Sequence, residues 1–432
     1  IYFQPGNRFV QILFELILFK CYGLNIFCYQ IQRVEFHSRF LWKNFFVYSF
    51  SFSKIRMMLN FKNNTKDLTI GVEMEIQLID PVTLRPIPIA GDIISALNNP
   101  KITKEMFRST LEIVSGVAEN VRDIAVDLSQ SLSFIKSYAA QHDIFLASTG
   151  THPTADYNNR ILSPSDRYQE LLDKNQWIIK RMAVYGLHVH IGMLNADECI
   201  KFNNYLIQFL PHLIALSASS PFWKGNDTGL NASRPTTYEA HPTAGMPILV
   251  EDWPQFLILY NQLLQTHSIQ SMKDVWWDLR PSPGYGTLEI RICDAPATIL
   301  EVESITAFIH LLAFHCKKEL RKPKSENHAL PTTWILRENK WRAIRSGVDA
   351  EIIKESSLQI ISIKKDVIQL LDSMEDLIQE FGYQKYKQCI LNILEKGNSA
   401  TRQRKIMEKT GNIADVILHN IDEFTKGYPV WQ

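Results

Sequence analysis

Hydrophobic and polar residues alternate with a period of two in three short segments of the chain, at residues 71–78, 187–191 and 287–292. Side chains two residues apart point to the same face of a β-strand. The pattern therefore predicts three strands, each with one aliphatic face and one polar face. The polar faces carry groups that bind metals or anions, namely Glu73 and Glu75, His188 and His190, and Glu289 and Arg291.

A sheet built from such strands has one face for packing and one for chemistry. We interpret the polar face as the floor of an active site, and we expect Met74 to point to the apolar side. Further strands are predicted at residues 107–114, 144–148 and 275–278, and helical spacing of apolar residues is found at 91–98, 121–142, 168–182, 196–217 and 254–266.

Proline, glycine and small polar residues mark the interruptions of this pattern. They predict a turn at residues 280–284 and a long loop over the substrate at residues 219–246. Beyond residue 298 the spacing is almost wholly helical, with breaks near residues 323–333 and 397–398.

Composition narrows the class of protein. The 432 residues are 46% apolar and 21% charged, as in globular proteins, and the formal net charge is +1. That charge gives no support to a nucleic-acid binder or a polybasic membrane protein, and it suits small charged substrates. The six cysteines are scattered without a CxxC pair, so we expect a reducing, cytoplasmic location.

Residues 1–56 differ from the rest of the chain. They hold 11 of the 23 phenylalanines and only two acidic residues, without a sustained period. Their longest apolar stretch, residues 10–19, is shorter than the roughly 17 to 25 residues that span a bilayer. We expect that translation starts at Met57 or Met58, that residues 1–56 are not part of the native protein, and that residues 57–432 form one catalytic domain.

The candidate ligands point to a divalent cation. Two carboxylates on one strand face, Glu73 and Glu75, repel each other unless a cation lies between them, so Mg²⁺ or Mn²⁺ is a reasonable occupant. Taken alone, however, such a pair also fits the solvated edge of a sheet. The pair His188 and His190 alone fits a zinc site, a mixed site or hydrogen-bonded histidines, and the nearby carboxylates favour the mixed, oxygen-rich site.

An arginine beside these carboxylates offers an anion contact. A Glu289–Arg291 pair taken alone is commonly a surface ion pair, but the guanidinium fork also suits a phosphate or a carboxylate. The chain has no GxxxxGK[ST] loop and no GxSxG elbow. A bound nucleotide would therefore be held through metals and side chains.

Seven collinear motifs resemble the type 2 glutamate-cysteine ligase family, whose bacterial members include the YbdK-like carboxylate-amine ligases. They are TIGVEMEIQLIDP (69–81), GTHP (150–153), GLHVHIG (186–192), SPFW (220–223), WWDLRP (276–281), TLEIRICD (287–294) and ENKWR (338–342). The resemblance implies an α+β, glutamine-synthetase-like fold, in which helices pack on the outer face of a curved antiparallel sheet and the C-terminal region is helical.

The resemblance also implies a reaction and its cofactors, ATP and Mg²⁺ or Mn²⁺. ATP would phosphorylate a substrate carboxylate, and an amine would then displace phosphate to form an amide. Glutamate and cysteine, which give γ-glutamylcysteine with ADP and phosphate, are the default substrates, with weak activity. The alternatives are a metal-dependent amide hydrolase and a non-catalytic protein that binds a nucleotide or an amino acid.

By motif, the resemblance assigns roles to seven residues of this chain. The metal ligands would be Glu73, Glu75, His190 and Glu289; the catalytic residues Arg291 and Glu112; and the cofactor-binding residues Arg291 and Arg342. His188 is less certain, because only one histidine of such a pair need reach the metal. The family further suggests a homodimer that acts on small molecules and binds neither nucleic acid nor membranes.

Overall fold

In the computed structural model, which describes residues 59–156, 158, 160–322 and 330–431, strand β1 (Ile70–Ile79) forms the centre of the main sheet. Its aliphatic side chains, including Val72, Met74 and Ile76, are buried in the main hydrophobic core. Glu73 and Glu75 alternate with them and point to the other face. The expected orientation of Met74 is confirmed. The predicted extension at residues 1–56 lies outside the described residues.

The main sheet has seven antiparallel strands in the order β10, β11, β5, β1, β3 and β2, with β4 also paired to β1. Their bounds are β2 Ile102–Lys104, β3 Thr110–Val114, β4 Phe145–Ala147, β5 Leu187–Gly192, β10 Leu279–Ser282 and β11 Thr287–Ile290. Smaller two-stranded sheets are formed by β6 Phe222–Trp223 with β7 Asn226–Asp227, β8 Ala244–Gly245 with β9 Trp276–Trp277, and β12 Glu351–Ile353 with β13 Ile360–Ser362.

Helices cover the apolar side of the sheet and make up most of the C-terminal region. They are α1 Ala90–Leu97, α2 Val121–Gln141, α3 Asp166–Asn175, α4 Trp177–Arg181, α5 Ala196–Leu206, α6 Leu210–Ser217, α7 Arg234–Tyr238, α8 Trp253–Gln265, α9 Ile299–Leu320, α10 Thr333–Ser346, α11 Ile363–Ser373, α12 Glu375–Phe381, α13 Gln384–Lys396, α14 Ser399–Thr410 and α15 Ile413–Lys426. Short 3₁₀ turns occupy Ile207–Phe209, Met272–Asp274 and Gly347–Asp349.

Helix α9 is the central helix behind the sheet. It contacts β5 and the helices α2, α5 and α13, and residues along most of its length are buried on all sides. By length and composition it is the one helix of the described residues that could cross a membrane, but 78% of its apolar window is buried inside the protein. This burial is that of a core helix.

The predicted turn at residues 280–284 is wrong over its first part. Leu279–Ser282 forms strand β10, which pairs with β11 and places Arg280 opposite Glu289. Pro281 is tolerated because β10 is an edge strand, where a missing N–H donor costs no ladder hydrogen bond. The predicted strand at residues 275–278 is reduced to β9, which pairs with β8 outside the main sheet.

Two predicted helices are interrupted. Residues 168–182 form α3 and α4, separated at Gln176, whose φ of 49° lies in the left-handed region. Residues 196–217 form α5 and α6 with a 3₁₀ turn between them, and Pro211 lies in the first turn of α6, where no N–H is needed. The predicted loop at 219–246 also contains regular elements, β6, β7, α7 and β8.

A buried ionic triad joins three C-terminal elements. Arg402 on α14 donates to Glu301 on α9 (2.9 Å) and to Glu423 on α15 (2.6 Å), and all three side chains are almost fully buried. Removing one member of a buried ionic group leaves charge without compensation. The triad therefore ties the C-terminal helices to the central helix.

We expect Arg402→Ala to lower the free energy of unfolding by about 3 to 5 kcal/mol, because Glu301 and Glu423 would face each other without a cation. Arg404, two residues later on the same helix, forms a partly exposed pair with Asp227, so Arg404→Ala should cost about 1 kcal/mol or less. Urea unfolding of both variants measures the difference. Equal losses would contradict the role of the triad.

Candidate metal and anion site

The three predicted strands lie side by side as β1, β5 and β11, and their register brings the polar side chains together. Antiparallel pairing places Glu73 opposite His188 and Glu289 opposite His190. Because side chains directly opposite each other share a face of the sheet, these four groups meet on the face away from the core. The site therefore results from both the alternation in the sequence and the order of the strands.

Glu73 lies between the two histidines. Its Oε2 is 3.1 Å from Nδ1 of His188, and its Oε1 is 3.3 Å from Nε2 of His190. Burial alone would raise the pKa of Glu73, but its contacts with both histidines hold that pKa well below the usual range. Glu73 is therefore a carboxylate at neutral pH.

Glu289 is the most deeply buried carboxylate of the group. It pairs with Arg280, whose Nη2 is 2.7 Å from Oε2, and with Arg291, and it lies 4.0 Å from Nε2 of His190. Burial raises the pKa of Glu289, but the two guanidinium groups outweigh burial and hold it well below its usual range. The pair Glu289–Arg291 is thus no surface ion pair.

A second group of carboxylates lies on the same face of the sheet, where β1 pairs with β3. The register places Glu75 opposite Glu112 on β3. Burial, and next the charge of Glu105, raise the pKa of Glu75 to about 8 and that of Glu112 well above its usual value. A bound cation would relieve the repulsion between these neighbouring carboxylates.

The ligand atoms are close enough for metal binding. Atoms of Glu73, His188 and Glu289 all lie within 4.8 Å of one another, and so do atoms of Glu75, Glu112 and His188. The Nε2 atom of His188 is buried and has no hydrogen-bond partner among the described residues. The residues present therefore fit a divalent cation with mixed oxygen and nitrogen ligands.

His188 is in the state that metal binding requires. Burial and the charge of Arg291 lower its pKa to about 4, so the ring is neutral at pH 7. A proton on Nδ1 can donate to Glu73, which leaves the lone pair of Nε2 for a metal. His190 contacts Thr287 through Nδ1 (2.8 Å), and its Nε2, 3.3 Å from Glu73, is likewise buried without a hydrogen-bond partner among the described residues. Both histidines thus lie at the predicted site.

Gly186, just before β5, is needed for the close approach of these groups. Its N–H donates to Glu75 Oε2 at 2.9 Å. A Cβ atom at this position would collide with the guanidinium of Arg234 and press on His188. Any other residue at position 186 would therefore displace Arg234 or His188.

A cavity opens over this surface. Its polar lining includes Glu75, Glu105, His188, Arg234 and Arg291, and its less polar lining includes Met182, Tyr238 and Trp276. Arg234 is almost fully buried and donates to the backbone carbonyls of Arg291 and Ile292. The cavity therefore combines carboxylates, arginines and an apolar wall.

Sequence reasoning missed two residues of the site. Glu105 lies between β2 and β3, where no alternation marks it, and Arg280 lies on the strand whose prolines predicted a turn. The register Arg280 opposite Glu289 is the only signal for the latter, and it requires knowledge of the strand pairing.

Arg342 is not brought together with the other predicted residues. It lies on α10, donates to Glu338 at 2.8 Å, and lines a separate polar cavity with Asp349, Glu351 and Lys364. Its predicted contact with the cofactor stays a prediction.

Metal binding at the second group should release protons. Because the pKa of Glu75 is about 8, this group is largely protonated at pH 7 without a cation; burial raises the pKa of Glu112 as well, and a metal requires the carboxylate forms of both. We expect the affinity for Mn²⁺ to rise from pH 6 to pH 8. Calorimetry in two buffers of different ionisation enthalpy counts the protons, and Glu75→Gln should remove about one of them. A heat independent of buffer, or an affinity that falls with pH, would contradict this expectation.

Two solved structures resemble this chain. One is a glutamate–cysteine ligase from Francisella tularensis in complex with AMP, with a TM-score of 0.62 and 13% identity over 84% of this chain and 90% of that chain. The other is a bifunctional glutathione synthetase from Pasteurella multocida, with a TM-score of 0.59 and 12% identity over 88% of this chain and 54% of that chain. They confirm the predicted glutamine-synthetase-like α+β fold.

Sequence comparison gives nearer relatives. A protein of Bdellovibrio bacteriovorus named "Putative glutamate--cysteine ligase 2" is 42% identical over 364 residues, which is 84% of this chain and 96% of the relative. A protein of the same name from Gloeobacter violaceus is 37% identical over 84% of this chain and 98% of its own length. The model of glutamate-cysteine ligase family 2 matches residues 69–419. This chain belongs to glutamate-cysteine ligase family 2.

Proposed function

We propose that this protein is an ATP-dependent carboxylate-amine ligase of the glutamate-cysteine ligase type. The observation that carries the proposal is the group of Glu73, His188 and Glu289, whose ligand atoms lie within 4.8 Å of one another, beside the Arg291 guanidinium. Family membership and the fold support it. From the names of the relatives we further propose glutamate and cysteine as the substrates.

A carboxylate at neutral pH is a poor electrophile, and its phosphorylation supplies a leaving group. The carboxylate oxygen would attack the γ-phosphorus of ATP and release ADP. The amine nitrogen would then attack the carbonyl carbon of the acyl phosphate, lose a proton and expel phosphate. With glutamate and cysteine the product is γ-glutamylcysteine, and we expect this activity to be weak.

The side chains would serve this reaction by position and charge. Glu73, Glu289 and one or both histidines would hold one cation, and Glu75 and Glu112 a second. Mg²⁺ or Mn²⁺ bound there would neutralise phosphate charge. Arg291 would hold the transferred phosphoryl group through its planar fork, and the less polar wall of Met182, Tyr238 and Trp276 would surround the organic part of a substrate.

We propose cytoplasmic location, a homodimer, and small-molecule partners only, an amino-acid carboxylate and an amine.

Phosphate release is the test of the reaction. The protein is incubated with ATP, Mg²⁺ or Mn²⁺, and a panel of amino acids and amines, and the amide is identified by mass spectrometry. We expect phosphate release that depends on both substrates. ATP-independent amide cleavage with stoichiometric zinc would indicate a hydrolase, and ATP binding without any product would indicate a non-catalytic binding protein.

A further inference from the structure

A second cavity, of about 240 Å³, lies close to the first and has an excess of cationic side chains. Three cationic side chains, Arg85, Arg160 and Lys224, line it together with one described carboxylate, Asp156, and with Ser109 and Thr154. A lining with three cations and one carboxylate suits an acid group.

The two cavities share structural walls. Phe107 and Thr110 line the first cavity and Ser109 lines the second, within one short segment. Arg160, which lines the second cavity, donates to the carbonyl of Ala183 at 3.4 Å, and Ala183 lines the first. The basic cavity is thus built on the same framework as the candidate catalytic site but uses none of its proposed ligands.

Arg160 is held rigidly and has no ion-pair partner among the described carboxylates. Its Nη1 donates to the Tyr185 hydroxyl at 2.9 Å, and its guanidinium lies 5.5 Å from the ring centre of Phe107 and 5.7 Å from that of Tyr185. A fixed cation at a cavity wall with no counter-ion is a ready contact for an anion.

The other charges leave the cavity positive. Asp156 lies 3.2 Å from Lys224 Nζ, so the one carboxylate is already paired. Lys224 is held in the left-handed region, with a φ of 50°, and the next residue, Gly225, donates its N–H to the Pro153 carbonyl at 2.8 Å. This turn fixes the lysine at the cavity wall, while Arg85 approaches from the loop after β1.

We propose that this basic cavity binds the oxyanion end of a small ligand, a carboxylate or a phosphate group, through Arg85, Arg160 and Lys224. The first cavity also has two arginines, Arg234 and Arg291, beside its carboxylates, so variants of both cavities must be compared. This binding does not depend on the ligase reaction.

Thermal unfolding measures this binding without turnover. The protein is treated with EDTA and unfolded in increasing inorganic phosphate or, separately, acetate, with sodium chloride holding ionic strength constant. A ligand that binds the native state raises the melting temperature in a saturable way. We expect at least one of the two anions to do so, and the more effective one identifies the acid group as phosphate or carboxylate.

Three variants locate the binding. Arg160→Met should weaken it by about tenfold or more, because a charge-assisted contact is lost, and Arg85→Met, at an exposed residue, provides the same test if Arg160→Met does not fold. Arg291→Met should leave it unchanged. No saturable stabilisation by either anion, binding that survives both Arg85→Met and Arg160→Met, or binding lost in Arg291→Met would overturn the proposal.

Discussion

Glu289→Gln is expected to lower kcat/KM for amide formation by about a thousandfold, with weaker binding of Mn²⁺. Glu289 is completely buried, is one of the three residues grouped for a cation, and pairs with both Arg280 and Arg291. The substitution keeps the size of the side chain and removes its charge. It therefore weakens the cation site and releases the two arginines at once.

The loss must be separated from misfolding, because two buried cations lose their partner. Urea unfolding and circular dichroism show whether the variant is folded at the assay temperature. Glu375→Gln is the matched control, since Glu375 lies on the surface of α12 and pairs only with side chains of that region. Activity of Glu289→Gln within a few fold of the control would contradict the assignment.

Arg291→Lys should lower kcat by about a thousandfold, although the positive charge is retained, because an arginine that stabilises a transferring phosphoryl group contributes on that scale. Lysine lacks the planar fork that contacts two oxygens at once. The position is also tightly held, because the Arg291 N–H donates to the Asp278 carbonyl at 2.8 Å and Arg234 donates to the Arg291 carbonyl. Because these hydrogen bonds hold the backbone in place, the lysine side chain cannot shift to restore the contact.

Steady-state kinetics for ATP and for the amino acid measure this effect. A fall in kcat with a smaller change in KM is expected, since the contact strengthens in the transition state. Arg122→Lys, at an exposed residue of α2 that donates to the Phe381 carbonyl, is the control. Unchanged kcat in Arg291→Lys would show that Arg291 does not contact the phosphoryl group.

The strands at the site could be predicted because the alternation that marks them is a local feature of the sequence. Period-two alternation marks β1, β5 and β11 in the sequence, and the same alternation places their polar groups on one face whatever the neighbours are. Glu73, His188 and Glu289 are therefore found together as the pattern indicates. The order of the strands, which brings the three segments side by side, is not contained in this alternation and is seen only in the structure.

Other features depend on pairing that a local pattern does not contain. Arg280 becomes part of the site only because β10 is an edge strand that tolerates Pro281 and pairs with β11. Glu105 lies in a connection, and its burial beside Glu112 results from the fold of the β2–β3 region. The basic cavity likewise combines four separate segments of the chain.

The central claim is that Glu73, His188 and Glu289 form a divalent-cation site. The most direct measurement is anomalous diffraction from crystals soaked in Mn²⁺. We predict an anomalous peak within coordination distance of all three side chains, lost in crystals of Glu289→Gln. A peak only elsewhere, or no peak at saturating Mn²⁺, would contradict the claim.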